Sequence, residues 1–169
     1  IFSVVETKEA LDPTDDAPVL IRGSDQICAG YAIYGPSTAL IITTGNGVNG
    51  FTHQQGTGEF RLTYRDMTIP VQTQEFAINA SRRRYWEAPV QRYFDECLAG
   101  EDGPRGAYFN MRWTASMVAE VHRILTRGGV FLYPIDSANR DQGGKLRLMY
   151  EANPMGLVVE QAGGAASTG

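Results

Sequence analysis

The sequence predicts an α/β fold: a meander of antiparallel strands, then a mixed sheet flanked by helices. Three observations predict it. Residues 1–75 carry short apolar runs separated by glycine turns. Beyond about residue 75, strand-like runs alternate with segments whose apolar residues recur at helical spacing. A chain of 169 residues with 43% hydrophobic and 20% charged side chains is long and apolar enough for an ordinary packed core. We therefore divide it into a strand-rich segment, 1–75, and an α/β domain, 76–169.

The elements follow in order. Residues 1–5, Ile-Phe-Ser-Val-Val, form one apolar run and read as a strand. Residues 10–25 carry Pro13, Pro18 and several acids and read as an exposed connector. Strands are predicted over 27–34, 39–44, 50–54 and 60–64. Gly45-Asn46-Gly47 and Gly56-Thr57-Gly58 supply hairpin turns between them, and Pro70 closes the meander. Residues 76–79, Phe-Ala-Ile-Asn, form a short strand ending in a polar residue. Pro89 opens a helix with Val90, Tyr93, Phe94, Cys97 and Leu98 on one stripe, and Gly100 ends it. A second helix spans about 114–127, with Met117, Val118, Val121 and Leu125 on its stripe and Gly128-Gly129 as its stop. Residues 130–133 are a strand and 134–144 a loop.

The stretch 143–164 is the most suggestive. In 145–151, apolar Leu146, Leu148 and Tyr150 alternate with Lys145, Arg147 and Glu151. A strand has period two, so this pattern predicts two cations and a carboxylate on one face. Asn153 is then expected as N-cap and Pro154 as the first helical residue. A basic pair and an acid beside a helix start suit an anionic ligand, while a polar edge strand with chance charges fits the same pattern. Other groups suited to an oxyanion are Asn79 at a strand end, Arg82-Arg83-Arg84 in a loop, Arg112 before a helix and Tyr133 at the end of a strand. Each also has a plainer reading, as a solvated loop or a core tyrosine.

The bulk numbers exclude several classes. A net charge of -4 and a pI of about 5.2 argue against a general nucleic-acid binder. No apolar run approaches the roughly 18 residues of a membrane span, and no signal-peptide pattern opens the sequence. Cys28 and Cys97, at no metal-like spacing, read as two buried thiols in a reducing, cytoplasmic compartment. His53 and His122 read as structural. Glu151 is the one carboxylate suited to a metal, whereas Asp12, Asp15 and Asp16 read as solvated loop charge. No GxxxxGK[ST], GxGxxG or HExxH motif occurs.

Four segments carry a family resemblance: Ala29-Gly-Tyr-Ala-Ile-Tyr-Gly35, Ser116-Met-Val-Ala-Glu-Val-His-Arg123, Gly128-Gly-Val-Phe-Leu-Tyr-Pro134 and Gly144-Lys-Leu-Arg-Leu-Met-Tyr-Glu-Ala-Asn-Pro-Met155. In this order they resemble class I fructose-1,6-bisphosphatase. The resemblance implies a layered α/β sandwich, the sugar phosphatase fold. It implies Mg²⁺-dependent hydrolysis of the 1-phosphate of fructose 1,6-bisphosphate, commonly by a homotetramer serving gluconeogenesis or the Calvin cycle. It further implies that Asn79, Trp113, Tyr133 and Lys145 meet the 6-phosphate, and that Arg112 reaches a neighbouring subunit. Met117 and the Phe131-Leu132 backbone would line the sugar pocket, Arg147 would lie toward the 1-phosphate, and Glu151 would bind metal.

The resemblance also implies what lies elsewhere. The chain opens on Ile1 and closes on Gly169, so we expect a C-terminal portion with both ends of the family's chain missing. The family's Asp-Pro-x-Asp-Gly-Ser metal loop is expected upstream, and this chain alone is expected to be poorly active. Three departures stand out. Trp113 replaces a tyrosine, Ala80-Ser81 replaces the usual Glu-Gly, and Arg82 stands where tyrosine is common. The extra cation at Arg82 is expected to strengthen phosphate binding or to broaden the substrate range. Sedoheptulose-1,7-bisphosphatase, or a dual-specificity relative, is thus the nearest alternative. A non-catalytic sugar-phosphate-binding module is the alternative of another class.

Overall fold

The computed structural model describes residues 1–7, 14 and 20–168. Most of the predicted connector, with Asp12, Pro13, Asp15, Asp16 and Pro18, lies outside them. The chain divides into two compact units, Ile1–Ile69 with Arg147–Gly169, and Pro70–Leu146.

The first unit is built on the meander. Strands β1 (Phe2–Val4), β2 (Cys28–Ile33), β3 (Ala39–Thr43), β4 (Asn49–His53) and β5 (Phe60–Tyr64) pair antiparallel in that order. The turns are where glycine put them. Gly45, Gly47 and Gly58 all have φ between 73° and 83°, the region that favours glycine. Gly30 is needed for another reason: a Cβ there would stand 2.3 Å from the Ile41 carbonyl. One sheet face is apolar and closed, with Ala29, Tyr31, Ile41 and Thr43 at 0–1% exposure. Helix α3 (Asn153–Gln161) lies on the sheet against β2 and β3, and contributes Met155 and Val158 to the core.

The predicted strand over 145–151 does not form. Leu148–Ala152 is instead a π-helical turn that runs straight into α3. Two physical reasons favour the helix. Leu148 and Tyr150 are both more than half exposed, so no buried face rewards period two. Glu151 reaches back one turn to accept the Arg147 backbone N–H at 2.8 Å, which closes the first turn as a capping carboxylate does. Asn153 is accordingly inside the helix rather than at its N-cap. Pro154 is tolerated because the widened turn before it, with Ala152 N–H donating to the Arg147 carbonyl at 2.9 Å, makes room for the ring.

The second unit is a small parallel sheet with two helices. Strand β6 (Glu75–Ile78) is central, flanked by β7 (Asn110–Met111) and β8 (Val130–Leu132), and both pairings are parallel. This sheet is therefore parallel among the described residues, not mixed. All four β6 residues are buried, as a central parallel strand requires. Phe76 and Ile78 pack with Trp86, Phe94 and Cys97, the last two from helix α1 (Ala88–Leu98). Helix α2 (Met117–Arg127) starts three residues later than expected because Ser116 caps it, its hydroxyl accepting the Ala119 N–H. Its buried stripe is Glu120, Val121, Ile124 and Leu125, so a carboxylate occupies a position of the apolar face. Cys97 is buried, but Cys28 is half-buried rather than buried, and both are free thiols. Among the described residues no helix is long and apolar enough to cross a membrane.

Candidate functional site

The three strands of the parallel sheet end at one edge, and most of the predicted anion-binding residues follow those ends. Asn79 follows β6, Arg112 and Trp113 follow β7, and Tyr133 follows β8. In open α/β sheets, ligands settle outside the carboxyl ends of the strands. The topology thus gathers residues that are 54 positions apart in sequence.

Each side chain is set by its surroundings. Asn79 caps the 3-10 helix Ala80–Tyr85, its carbonyl oxygen accepting from the Ser81 N–H at 3.2 Å and hydroxyl at 2.6 Å. That fixes its amide NH₂ as the outward donor. Phe131 and Tyr133 alternate along β8 onto one face, where Trp113 joins them. Trp113 stacks on Phe131 with centroids 6.0 Å apart and planes 4° from parallel, and sits 6.0 Å from the Tyr133 ring. Leu132 points the other way, against the core around Phe76. Met117 is half-buried at the start of α2. Lys145 is exposed, just after Gly144, whose N–H donates to the Asn139 carbonyl.

Arg112 lies against Glu75 of its own chain at 3.6 Å and keeps half its side chain exposed. Its backbone N–H donates to the Phe76 carbonyl at 2.8 Å. Arg147 and Glu151 belong to the first unit, and Lys145 to the second. The expected shared strand face is therefore replaced by a helical pair. The Arg147 guanidinium donates to Glu151 at 2.7 Å, i to i+4. Both Glu151 oxygens are thus held by Arg147. Among the described residues, no three His, Cys, Asp or Glu side chains gather to hold a metal ion. These residues by themselves do not make up a magnesium site, which needs several oxygen ligands.

Sequence reasoning missed three buried carboxylates that brace this edge. Glu120 accepts the Thr114 N–H at 2.7 Å, the Thr114 hydroxyl at 3.1 Å and the Arg123 guanidinium at 3.1 Å. It thereby ties the segment just after Trp113. Glu75 receives Arg123 at 3.2 Å and also Arg127. Asp136, 1% exposed, takes two bonds from Arg82 at 2.6 and 2.7 Å and the Ala138 N–H at 2.9 Å. No local signal marks these acids. Only the placement of Glu120 on the buried stripe of α2 could have singled one out.

Their titration has a defined sign. The Arg82 hydrogen bonds hold the Asp136 carboxyl below the usual carboxylate range, against burial, which raises it. Burial pushes Glu75 up, but bonds and charge from Arg127 and Arg123 outweigh it and the net shift is down. Acids depressed in the folded state stabilise above the unfolded carboxylate pKa, near pH 4, and lose that contribution as pH falls through the lower folded value. Urea denaturation is expected to give nearly constant stability from about pH 7 to 5 and a steep fall below about pH 4. Asp136→Asn is expected to flatten that fall; an unchanged acid profile would remove Asp136 as a contributor.

Two family models match the chain along its length. One, described as the N-terminal domain of fructose-1-6-bisphosphatase, matches residues 1–65, and one described as the C-terminal domain matches residues 69–169. The chain belongs to the fructose-1,6-bisphosphatase family. Solved structures agree. The holo form of Leishmania major fructose-1,6-bisphosphatase is 37% identical over 94% of this chain, with a TM-score of 0.83. The apo form of that enzyme, 36% identical over 94%, and its T-state, 36% identical over 95%, give the same TM-score. The chain spans about half of each of these relatives, 49–50% of their length.

Proposed function

We propose that the whole protein hydrolyses the 1-phosphate of fructose 1,6-bisphosphate, releasing fructose 6-phosphate and phosphate. In this reading the present chain supplies the pocket for the sugar and its 6-phosphate. The observation that carries it is the convergence of Asn79, Trp113 and Tyr133 at the carboxyl edge of one parallel sheet. The likeness to solved forms of Leishmania major fructose-1,6-bisphosphatase supports this choice of substrate.

The residues divide the work by their chemistry. The Asn79 amide, the Trp113 indole N–H and the Tyr133 hydroxyl donate directed hydrogen bonds to phosphate oxygens, and Lys145 adds a mobile point charge. Met117 and the Phe131-Leu132 backbone form the sugar wall. The family resemblance assigns Arg147 to the 1-phosphate. Holding the far phosphate orients the scissile one, so binding energy from the non-reacting end is used at the reacting end. Magnesium is the ion of the whole enzyme in this reading, with Glu151 as one carboxylate of its site. To serve there Glu151 would first leave Arg147. Arg112, half exposed, is the residue proposed to cross to a second subunit of an oligomer.

Calorimetric titration of the chain with fructose 6-phosphate tests the reading. Saturable binding is expected, weakened about tenfold or more by Lys145→Ala, the value of one lost charge-assisted contact. Equal affinity in the two proteins would overturn the assignment of the pocket. Relative turnover of fructose and sedoheptulose bisphosphates by the whole protein would separate the two substrates.

A further inference from the structure

Arg82 is held in an unusual way for a residue at the mouth of a site. Its Nε and Nη2 donate to the two Asp136 oxygens at 2.6 and 2.7 Å, a fork-on-fork pair. Asp136 is itself immobilised. It accepts the Ala138 N–H at 2.9 Å, and its own N–H donates to the Asn139 side chain at 2.9 Å. The guanidinium also lies over the Tyr85 ring, 5.2 Å from the centroid. So one edge of the guanidinium and one of its faces are fixed. A guanidinium has five N–H donors, and Asp136 uses two. Among the described residues Nη1 has no hydrogen-bond partner, and 29% of the side chain is exposed. Arg82 sits on the helix that Asn79 caps, just past the carboxyl end of β6.

We infer that Arg82 is an anion-binding residue of the carboxyl-edge site, braced by Asp136 so that its free Nη1 edge receives a phosphate ester oxygen. This deepens the sugar-phosphate reading and rests on it for the identity of the ester. Two consequences separate it from a simple added charge. The pair is neutral, so the gain is a directed donor rather than a stronger field. The donor is also ordered before binding, so little rotamer entropy is lost when the ligand arrives. Asp136 is then a positioning residue for two things at once. It aims Arg82, and through Asn139, whose carbonyl accepts the Gly144 N–H at 3.4 Å, it steadies the loop that delivers Lys145.

Lysine at position 82 is the informative substitution. It keeps the charge for Asp136 but has no second edge to offer. The test titrates the 169-residue chain, Arg82→Lys and Lys145→Ala with fructose 6-phosphate and, separately, with inorganic phosphate. Affinity is read by calorimetry, the fold by melting temperature, and the Arg82 Nε–Hε resonance by NMR in the unsubstituted chain. We expect both ligands to move that resonance saturably. We expect Arg82→Lys to weaken both by about tenfold, with a lower melting temperature but a chain still folded at the temperature of the titration. A resonance that stays still while ligand binds, or Arg82→Lys binding as the unsubstituted chain does, overturns the inference. Sugar phosphate binding that Lys145→Ala abolishes and Arg82→Lys leaves alone keeps the functional reading and removes Arg82 from it. Inorganic phosphate moving the resonance, with no tighter binding of the sugar ester and no effect of Lys145→Ala, keeps Arg82 and removes the sugar reading. No binding of either ligand overturns both.

Discussion

Glu120→Ala is expected to destabilise the chain by about 3 kcal/mol, the low end of the cost of breaking a buried ion pair. Glu120 is fully buried and its bonds to Thr114 and Arg123 are part-buried, so water replaces the carboxylate only in part. Removing the carboxylate strands the Thr114 N–H and hydroxyl and one side of the Arg123 guanidinium. The loss stays at the low end because Arg123 keeps Glu75 at 3.2 Å and the Gly128 carbonyl at 3.3 Å. Glutamine should lose less, since its amide oxygen still accepts the Thr114 N–H. Both tryptophans, Trp86 and Trp113, lie in the Pro70–Leu146 unit, so urea unfolding followed by tryptophan fluorescence reports on the part affected. A loss below about 1 kcal/mol for alanine would mean that water reaches Thr114 and Arg123, and that the buried network is not what holds the segment after Trp113. Ligand binding supplies a second readout. Trp113 is one residue from Thr114, so Glu120→Ala should also blunt the stacking of Trp113 on Phe131 and weaken fructose 6-phosphate binding.

The parts of this fold that were legible in the sequence are those fixed by neighbours along the chain. Gly45, Gly47 and Gly58 marked their turns because only a residue without Cβ takes those φ values cheaply. Val90, Phe94 and Cys97 marked α1 because period 3.6 over ten residues has no competing explanation. The segment 145–151 failed because seven residues of alternating polarity fit a strand on paper, while the helix is decided by a bond from Glu151 back to the Arg147 N–H. The braced edge was less legible still. Arg82 and Asp136 are 54 residues apart, and Glu75 and Arg123 are 48 apart, so nothing local couples them. Asn79 and Tyr133 were marked by their places at predicted strand ends, beside plainer readings, whereas Trp113 was reached only through resemblance. The topology supplies the missing reason, since each of the three parallel strands must end somewhere and all end on one side.

Phe76→Ala is expected to cost about 4 kcal/mol, within the range for deleting a buried phenylalanine. Phe76 is fully buried on the central strand β6. It meets Tyr93 and Phe94 edge-on, with centroids 6.2 and 6.1 Å away. These rings come from α1, so Phe76, together with Ile78, holds the helix to the sheet. Its removal leaves a hole that Trp86, already edge-on to Phe94 at 5.3 Å, cannot fill without leaving its own place. Leucine should cost about 1–2 kcal/mol, because it restores most of the volume and loses only the edge-to-face contacts. The effect should not stop at stability. The Phe76 carbonyl accepts the Arg112 N–H, and β6 ends at the residue before Asn79, so slack in this strand reaches two of the three strand ends that form the site. Fructose 6-phosphate affinity should therefore fall in Phe76→Ala under conditions where the protein is still folded, and recover in Phe76→Leu. Full stability loss with unchanged affinity would show that the carboxyl edge is held by Glu120 and Asp136 alone, independently of the core beneath it.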